Sequence, residues 1–174
     1  MRLPTVLALA GLVFARSAAA QEVSWDYAKG TDFTRLKTYA WTVGQPLPDP
    51  LIHRRLVNAI ETQLAAKGFS TVATVEEADA LVASHAGVAM TPEISEFGSG
   101  WGEFHVGGSW TKRINLQRIA VGTVVVDLID AKANTIVWRG TVRKNIDPDA
   151  GPQKRDQQVN KAMKKLFNHY PGVE

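Results

Sequence analysis

The sequence predicts an α+β protein, a two-layer sandwich in which two helices pack on one face of a mixed or mainly antiparallel sheet. Three observations lead to this prediction. Two segments carry apolar residues at helical spacing, several others have the alternation or β-branched composition of strands, and the last two strands are joined by a short hairpin link. The order of these elements is too irregular for a doubly wound parallel sheet.

Residues 1–20 are organised like a secretory signal peptide. Arg2 gives a positive start, Leu3 to Ala15 form an apolar run, and Ser17 to Ala20 supply the small residues that a signal peptidase requires. The alternative is an uncleaved anchor, but the run is shorter than the about 20 apolar residues that span a bilayer. We therefore expect cleavage before Gln21, a periplasmic or otherwise exported protein, and no transmembrane segment in the mature chain.

The composition of the mature chain excludes several kinds of function. Arg2 and Arg16 are the only charged residues before Gln21, so cleavage lowers the formal net charge from +3 to +1. Such a balance gives little attraction for nucleic acid, and no nucleic-acid partner is expected. The chain has no cysteine, which excludes disulfides, thiol nucleophiles and thiolate metal sites. Residues 21–174 suffice for a single domain with its own core.

The first strands are predicted from alternation and from composition. Apolar and aromatic residues occupy every second position from Val23 to Tyr27, which predicts a strand with one buried face, and the pattern returns from Tyr39 to Val43. Phe69 to Thr74 suit a short strand. Ala80 to Val88 are mostly small and apolar, which predicts a strand buried on both faces in the middle of the sheet.

Two amphipathic helices are predicted. Asp49 is a suitable N-cap with Pro50 in the first turn, and Gly68 is placed to end the first helix. A second helix follows an Asp-, Gly- and Pro-rich connector and is stopped by Pro171-Gly172. The apolar faces consist of Ile52, Leu56, Ala59, Ile60 and Leu64 in the first helix, and of Val159, Ala162, Met163, Leu166, Phe167 and Tyr170 in the second.

A late hairpin is predicted between these helices. Thr123 to Ile129 and Thr135 to Arg143 are rich in β-branched residues, and Asp130 to Asn134 form a five-residue link. In the second strand, strict alternation places Ile136 on the same side as Trp138. That strand should have one wet face.

Residues 90–121 form a glycine- and aromatic-rich segment that suits either a loop or a twisted hairpin inserted in the domain. Its glycines relax the backbone, which makes it the least rigid part of the domain. Large aromatic rings there either pack on the sheet or contact a partner. The candidate binding residues are Phe97, Trp101, Phe104, His105 and Trp110.

Short motifs spread along the mature chain carry a family resemblance. They are Asp32-Phe33, Leu36-Lys37-Thr38-Tyr39-Ala40-Trp41, Leu64-Ala65-Ala66-Lys67-Gly68-Phe69, Ala78-Asp79-Ala80-Leu81-Val82, and Gly122-Thr123 through Asp127 to Val137-Trp138-Arg139-Gly140. Together they resemble the bacterial domain-of-unknown-function family 4136 (DUF4136), over about Val23 to Pro171. The resemblance implies an envelope lipoprotein-like protein with no assigned activity, and it transfers no catalytic residue.

The sequence departs from the lipoprotein pattern that this resemblance implies. Leu9-Ala10-Gly11 looks like the start of a lipobox, but Leu12 stands where the acylated cysteine would be. We therefore expect a chain that is not lipidated.

The histidines match no metal-ligand spacing, and no metal or cofactor is expected. His85 lies in the apolar strand, where a buried imidazole needs a partner such as Asp79 or Asp127, so a structural role is favoured. His53 and His169 suit ordinary surface positions. His105 belongs to the glycine-rich segment, where a solvated loop is favoured over a ligand role.

Other catalytic patterns are also missing. Gly98-Ser99-Gly100 is not the nucleophile elbow of a serine hydrolase, because the spacing is wrong and no helix follows. The nearby glycines lack the lysine and the helix N-terminus of a phosphate loop. Asp127 and Asp130 are expected to be structural, the first within a strand and the second at the start of a turn.

Two hypotheses of different classes follow. The favoured one is a non-enzymatic binding or assembly module that contacts an envelope protein, a polymer or a lipid surface through its sheet or its glycine- and aromatic-rich segment. The alternative is a periplasmic hydrolase that uses His85 or His105 with a carboxylate. The sequence determines neither the partner nor the oligomeric state.

Overall fold

In the part of the chain that the structure describes, six strands and two α-helices form the α+β fold that the sequence predicts. The structure is a computed structural model that describes residues 21–42, 44, 47–97 and 113–172, with the backbone alone for 93–97 and 113–117. The predicted signal peptide lies outside these ranges. The elements are β1 (Glu22–Tyr27), β2 (Thr38–Trp41), α1 (Pro50–Ala66), β3 (Ser70–Thr71), β4 (Ala80–Phe97), β5 (Arg113–Asp130), β6 (Thr135–Asn145) and α2 (Pro152–Phe167), with a 3-10 turn at Phe33–Arg35.

The strands form one mixed sheet in the order β1-β6-β5-β4-β2-β3. β2 pairs in parallel with both β3 and β4, and the pairs β1–β6, β6–β5 and β5–β4 are antiparallel. α1 connects β2 to β3, as a crossover between parallel strands requires. β4 lies inside the sheet, which confirms its predicted central position, although its burial on both faces extends only to Ser84.

The local signals at the ends of α1 are confirmed. The Asp49 carboxylate accepts hydrogen bonds from the backbone N–H of Leu51 (2.8 Å) and of Ile52 (3.2 Å), so it caps the first turn. Gly68 has a φ of +83°, in the left-handed region that ends helices. α2 ends at Phe167, earlier than the predicted stop at Pro171-Gly172.

The core lies between the sheet and the two helices. Trp138 of β6 is fully buried at its centre, with its ring 5.3 Å from that of Phe167 and 5.9 Å from that of Tyr170. Both helices contribute to one continuous apolar cluster. Its largest fully buried side chains are those of Leu36, Ile60, Leu64, Val82, Val126, Leu128, Trp138, Met163, Leu166 and Phe167.

The predicted buried face of β1 is wrong for two of its three residues. β1 is an edge strand, and Trp25 and Tyr27 are 46% and 45% exposed, while Val23 packs against the core. The Trp25 ring stacks on His169, with ring centroids 3.6 Å apart. His169 therefore packs against Trp25, a contact that its predicted ordinary surface position does not indicate.

A β-bulge in β6 overturns the predicted placement of Ile136. The register pairs Leu128 with Trp138 but Ile129 with Ile136, so Val137 is the extra residue. Val137 is consequently buried, whereas Ile136 is 46% exposed. Alternation from the sequence fails here because one added residue moves the preceding side chain to the other face.

The predicted hairpin link between β5 and β6 is present but one residue shorter than the predicted Asp130 to Asn134, because Asp130 is the last residue of β5 and pairs with Thr135. The Asp130 carboxylate accepts hydrogen bonds from the backbone N–H of Lys132 (2.9 Å) and of Ala133 (3.0 Å), and it pairs with Arg35 of the 3-10 turn. Asn134 takes a positive φ of 50° at the end of the link. Asp130 therefore has the structural role that its position at a turn predicts.

Candidate functional site

The hairpin of β4 and β5 extends well beyond the rest of the sheet. β2 pairs with β4 only at Ala80–Val82, and the β5–β6 pairing ends where Val121 faces Asn145. Beyond this point residues 90–97 and 113–120 pair with each other, with a last hydrogen bond from the backbone N–H of Ile146 to the carbonyl oxygen of Ala120 (2.7 Å) at the base. We call this two-stranded extension the arm. At about 3.4 Å per residue it reaches roughly 30 Å.

The arm contains part of the segment for which the sequence allowed a loop or a hairpin. Phe97 is the last residue of β4 and pairs with Arg113. The other candidate binding residues, Trp101, Phe104, His105 and Trp110, lie outside the described ranges.

Large apolar side chains are exposed where the arm leaves the domain. Met90 is 71% exposed, Val88 is 59% exposed, and Ile146 at the end of β6 is 40% exposed. A two-stranded ribbon buries little surface of its own and is marginal in isolation. Exposed apolar residues at this base are consistent with a contact surface.

The sheet face opposite the helices holds a buried carboxylate. The Asp127 side chain is 3% exposed, and both of its oxygens accept hydrogen bonds from Arg139, at 2.6 Å from Nε and 2.8 Å from Nη2. This bidentate bond raises the pKa of Arg139. Asp127 and Arg139 thus form a structural ion pair between β5 and β6.

His85 is next to this pair but is not buried as its apolar strand suggests. Its side chain is 45% exposed, because the helices cover only the opposite face of β4 at this point, and its Nε2 lies 3.9 Å from Asp127 Oδ2. That separation exceeds a hydrogen bond. The other predicted partner, Asp79, instead accepts hydrogen bonds from the backbone N–H groups of Lys37 and Thr38.

An apolar cavity of about 430 Å³ lies on the helix side of the sheet, between the first turn of α1, the first half of α2 and the base of the arm. Most of its wall is aliphatic. The apolar lining residues are Leu47, Pro48, Ile52, Leu56, Ala86, Val88, Val124, Val142, Ile146, Val159, Ala162 and Met163. The sequence alone does not reveal this cavity, because its lining residues come from five separate segments.

Among the described residues, the unpaired charges at the mouth of the apolar cavity are mainly positive. Lys144 and Arg155 line it, and burial together with the nearby Lys161 and Lys154 lowers the pKa of Lys144. The lining carboxylates already have partners: Asp49 caps α1, and Asp147 binds Lys154 Nζ at 2.7 Å.

A second cavity of about 360 Å³ has a more polar lining. His53 and Val57 of α1, Trp41, Thr42 and Ser84 surround it, together with Glu61, which accepts a hydrogen bond from Trp41 Nε1 at 3.0 Å. His53 is therefore half-buried in a cavity wall and not the ordinary surface residue that the sequence predicts.

Within the described ranges, no three His, Asp or Glu side chains are grouped closely enough to hold a metal ion. In the same ranges neither helix has the length and apolarity that a bilayer crossing needs.

Comparison with known proteins supports one family. The model of a domain of unknown function, DUF4136, matches residues 23–172. No curated protein matches the chain. A DUF4136 family protein from Bacteroides thetaiotaomicron has a similar structure, with a TM-score of 0.53 and 14% identity over 87% of this chain and 96% of that one.

Two further solved structures share the fold. The PelC dodecamer from Paraburkholderia phytofirmans has a TM-score of 0.55 and 13% identity over 89% of this chain and 100% of that one. A PDZ domain protein from Parabacteroides distasonis has a TM-score of 0.57 and 15% identity over 88% of this chain, which corresponds to 37% of that protein. At such low identity these likenesses establish the fold alone.

Proposed function

The chain belongs to the DUF4136 family, and from this premise we propose that it is an exported cell-envelope protein that acts as a non-enzymatic assembly module, with a second copy of itself as partner. The arm is the observation that carries the proposal. β4 and β5 form the longest strand pair of the sheet. The outer part of this pair, the arm, has no neighbouring strand or helix among the described residues.

The composition of the arm favours a protein contact. Ala86, Val88, Met90 and Pro92 occupy alternate positions of β4, and such a period of two places residues on one face of a strand. Met90 and Val88 are largely exposed. An apolar ribbon of this kind gains stability when a partner covers it.

A second copy is the partner that the available likenesses favour. PelC, which shares this fold over its whole chain, forms a dodecamer. No activity is assigned to this family, so there is no known substrate that the arm could cover as a lid. Repeated copies of one chain can bury the same arm surface in each member of a closed ring.

Export is supported by the position of β1 relative to the predicted cleavage site. β1 begins at Glu22, and Lys165 Nζ of α2 donates a hydrogen bond to the carbonyl oxygen of Gln21 at 3.0 Å. β1 therefore begins one residue after the predicted mature N-terminus at Gln21.

The hydrolase alternative finds less support in the described residues. Arg139 occupies both oxygens of Asp127, and His85 lies beyond hydrogen-bond distance and outside the walls of both cavities. A histidine that acts as a general base must lie within hydrogen-bond reach of the carboxylate that orients it or of the substrate proton that it removes.

The proposal predicts an oligomer that depends on the arm. The chain beginning at Gln21 should form a discrete assembly in size-exclusion chromatography with light scattering. Met90→Glu places a charge on the exposed apolar surface and should shift the mass to that of the monomer. Val75→Glu, at an apolar residue that is also exposed but lies between β3 and β4, is the matched control.

The controls make the outcome decisive. Circular dichroism should show that both variants retain the fold, because neither residue is buried. A monomeric parent chain, or an assembly that Met90→Glu leaves intact, would contradict assembly through the arm.

A further inference from the structure

We propose that the apolar cavity between α1, α2 and the base of the arm binds a single-chain amphiphile with an anionic head group, such as a long-chain carboxylate or an anionic lysophospholipid. This inference concerns the helix side of the sheet and goes beyond the assembly proposed for the arm. It rests on the volume, the lining and the charges of the cavity.

The interior of the cavity suits an alkyl chain. Its volume of about 430 Å³ falls within the roughly 300–1,000 Å³ of small-ligand pockets. Ile52, Val124 and Met163, from three different elements, are among its lining residues. A wall of this composition offers an alkyl chain dispersion contacts and removes it from water.

The mouth of the cavity suits an anionic head group. Lys144 has no carboxylate partner among the described residues, and Lys161 adds positive charge beside it. Asp147 is paired with Lys154, and the Asp49 carboxylate is engaged in hydrogen bonds to the first turn of α1.

The cavity also has an apolar entrance. Val88 and Ile146 line it and remain 59% and 40% exposed. The side chain of Ile146 lies against Gly122, where an added Cβ would stand 3.1 Å from Ile146 Cδ1. The absence of a side chain at Gly122 therefore lets Ile146 pack closely against β5 at this entrance.

Calorimetric titration of the chain beginning at Gln21 tests the proposal. Dodecanoate and a lysophosphatidylglycerol with a 12-carbon chain are the anionic probes, and dodecyl maltoside supplies the same tail with a neutral head. The anionic probes should bind more tightly than the maltoside, and whichever anionic probe binds more tightly identifies the source of the ligand. Shortening dodecanoate by two methylenes should weaken binding about fifteenfold, since each buried methylene contributes about fourfold.

Two pairs of variants locate the site. Lys144→Gln should weaken dodecanoate binding roughly threefold, the range of a partly exposed ion pair, whereas Lys132→Gln in the β5–β6 link should not. Val159→Trp fills the cavity from α2 and should abolish binding, whereas Gln157→Trp, at an exposed position of the same helix, should not.

Three results would overturn the proposal. The first is the absence of dodecanoate binding to the parent chain. The second is equal binding by the folded Val159→Trp variant. The third is dodecanoate binding only in the monomeric Met90→Glu variant, because the cavity would then be filled by another copy of the chain.

Discussion

Two polar atoms at the centre of the core have no hydrogen-bond partner among the described residues. They are the indole nitrogen of Trp138 and the hydroxyl of Tyr170, whose rings meet edge to face at 5.9 Å. Burial raises the pKa of the Tyr170 hydroxyl, because the phenolate would be desolvated. A buried hydroxyl without a partner lowers stability, whereas the ring that carries it packs on Phe33 and Phe69.

Tyr170→Phe should therefore leave the free energy of unfolding unchanged or raise it by about 1 kcal/mol, since it removes only the unpaired hydroxyl. Tyr170→Ala removes the ring as well and should cost about 3–5 kcal/mol. Urea unfolding of both variants separates the two contributions. A loss above about 1 kcal/mol in the phenylalanine variant would mean that the hydroxyl has a stabilising partner.

At the scale of elements, the link between β5 and β6 depends on one carboxylate. Asp130 accepts hydrogen bonds from the backbone N–H groups of Ala133 and Lys132 and pairs with Arg35, so it joins the hairpin to the 3-10 turn. The hydrogen bond from Ala133 is the main reason that the pKa of Asp130 is lowered, and the bond from Lys132 and the Arg35 charge act in the same direction against the cost of burial.

The lowered pKa of Asp130 gives stability a definite pH dependence. A carboxylate whose pKa is lower in the folded chain stabilises it above the unfolded pKa of about 3.9, and this contribution is lost as the pH falls through the folded value. Asp130→Asn should therefore cost about 1–3 kcal/mol at pH 7 and progressively less below pH 4. Urea unfolding at pH 7 and pH 3 tests this, with the exposed Asp149→Asn as control. A cost that is equal at both pH values would contradict it.

Elements with a strong local signal could be predicted from the sequence, and elements whose environment depends on distant segments could not. Asp49 and Gly68 act within α1, so the cap and the end of that helix follow from residue type. Trp25 is exposed because β1 lies at the sheet edge, which alternation does not reveal. Ile136 is exposed because of a bulge that depends on the pairing of β6 with β5.

At the scale of the whole molecule, the sequence indicated the family and the architecture but not the sites. The apolar cavity brings Ile52, Val124 and Met163 together from segments far apart in the chain. The arm is recognisable only once β2 and β6 are seen to stop short of it. Residues 90–121 stand out in the sequence because of their composition. Composition does not reveal that β4 and β5 continue beyond β2 and β6, as they do among the described residues.

A further prediction concerns the residue at which the mature chain begins. Protein recovered from the native envelope should start at Gln21 and carry no acyl chain, because the small residues up to Ala20 suit a signal peptidase and Leu12 replaces the cysteine of a lipobox. Intact-mass spectrometry measures this directly, and a mass that includes residues 1–20 or a lipid would contradict it.

The same molecule tests whether the fold needs its first strand. A chain that begins at Gln21 retains all six pairings of β1 with β6, from Glu22–Arg143 to Tyr27–Trp138. A chain that begins at Ala28 loses them, together with the Trp25–His169 stack and the packing of Val23 on the core. We expect the shorter chain to unfold at least several degrees lower, because a loss of about 1 kcal/mol lowers the Tm of a domain of this size by roughly 2–4 °C. Equal melting temperatures for the two chains would show that β1 adds nothing to the stability of the mature protein.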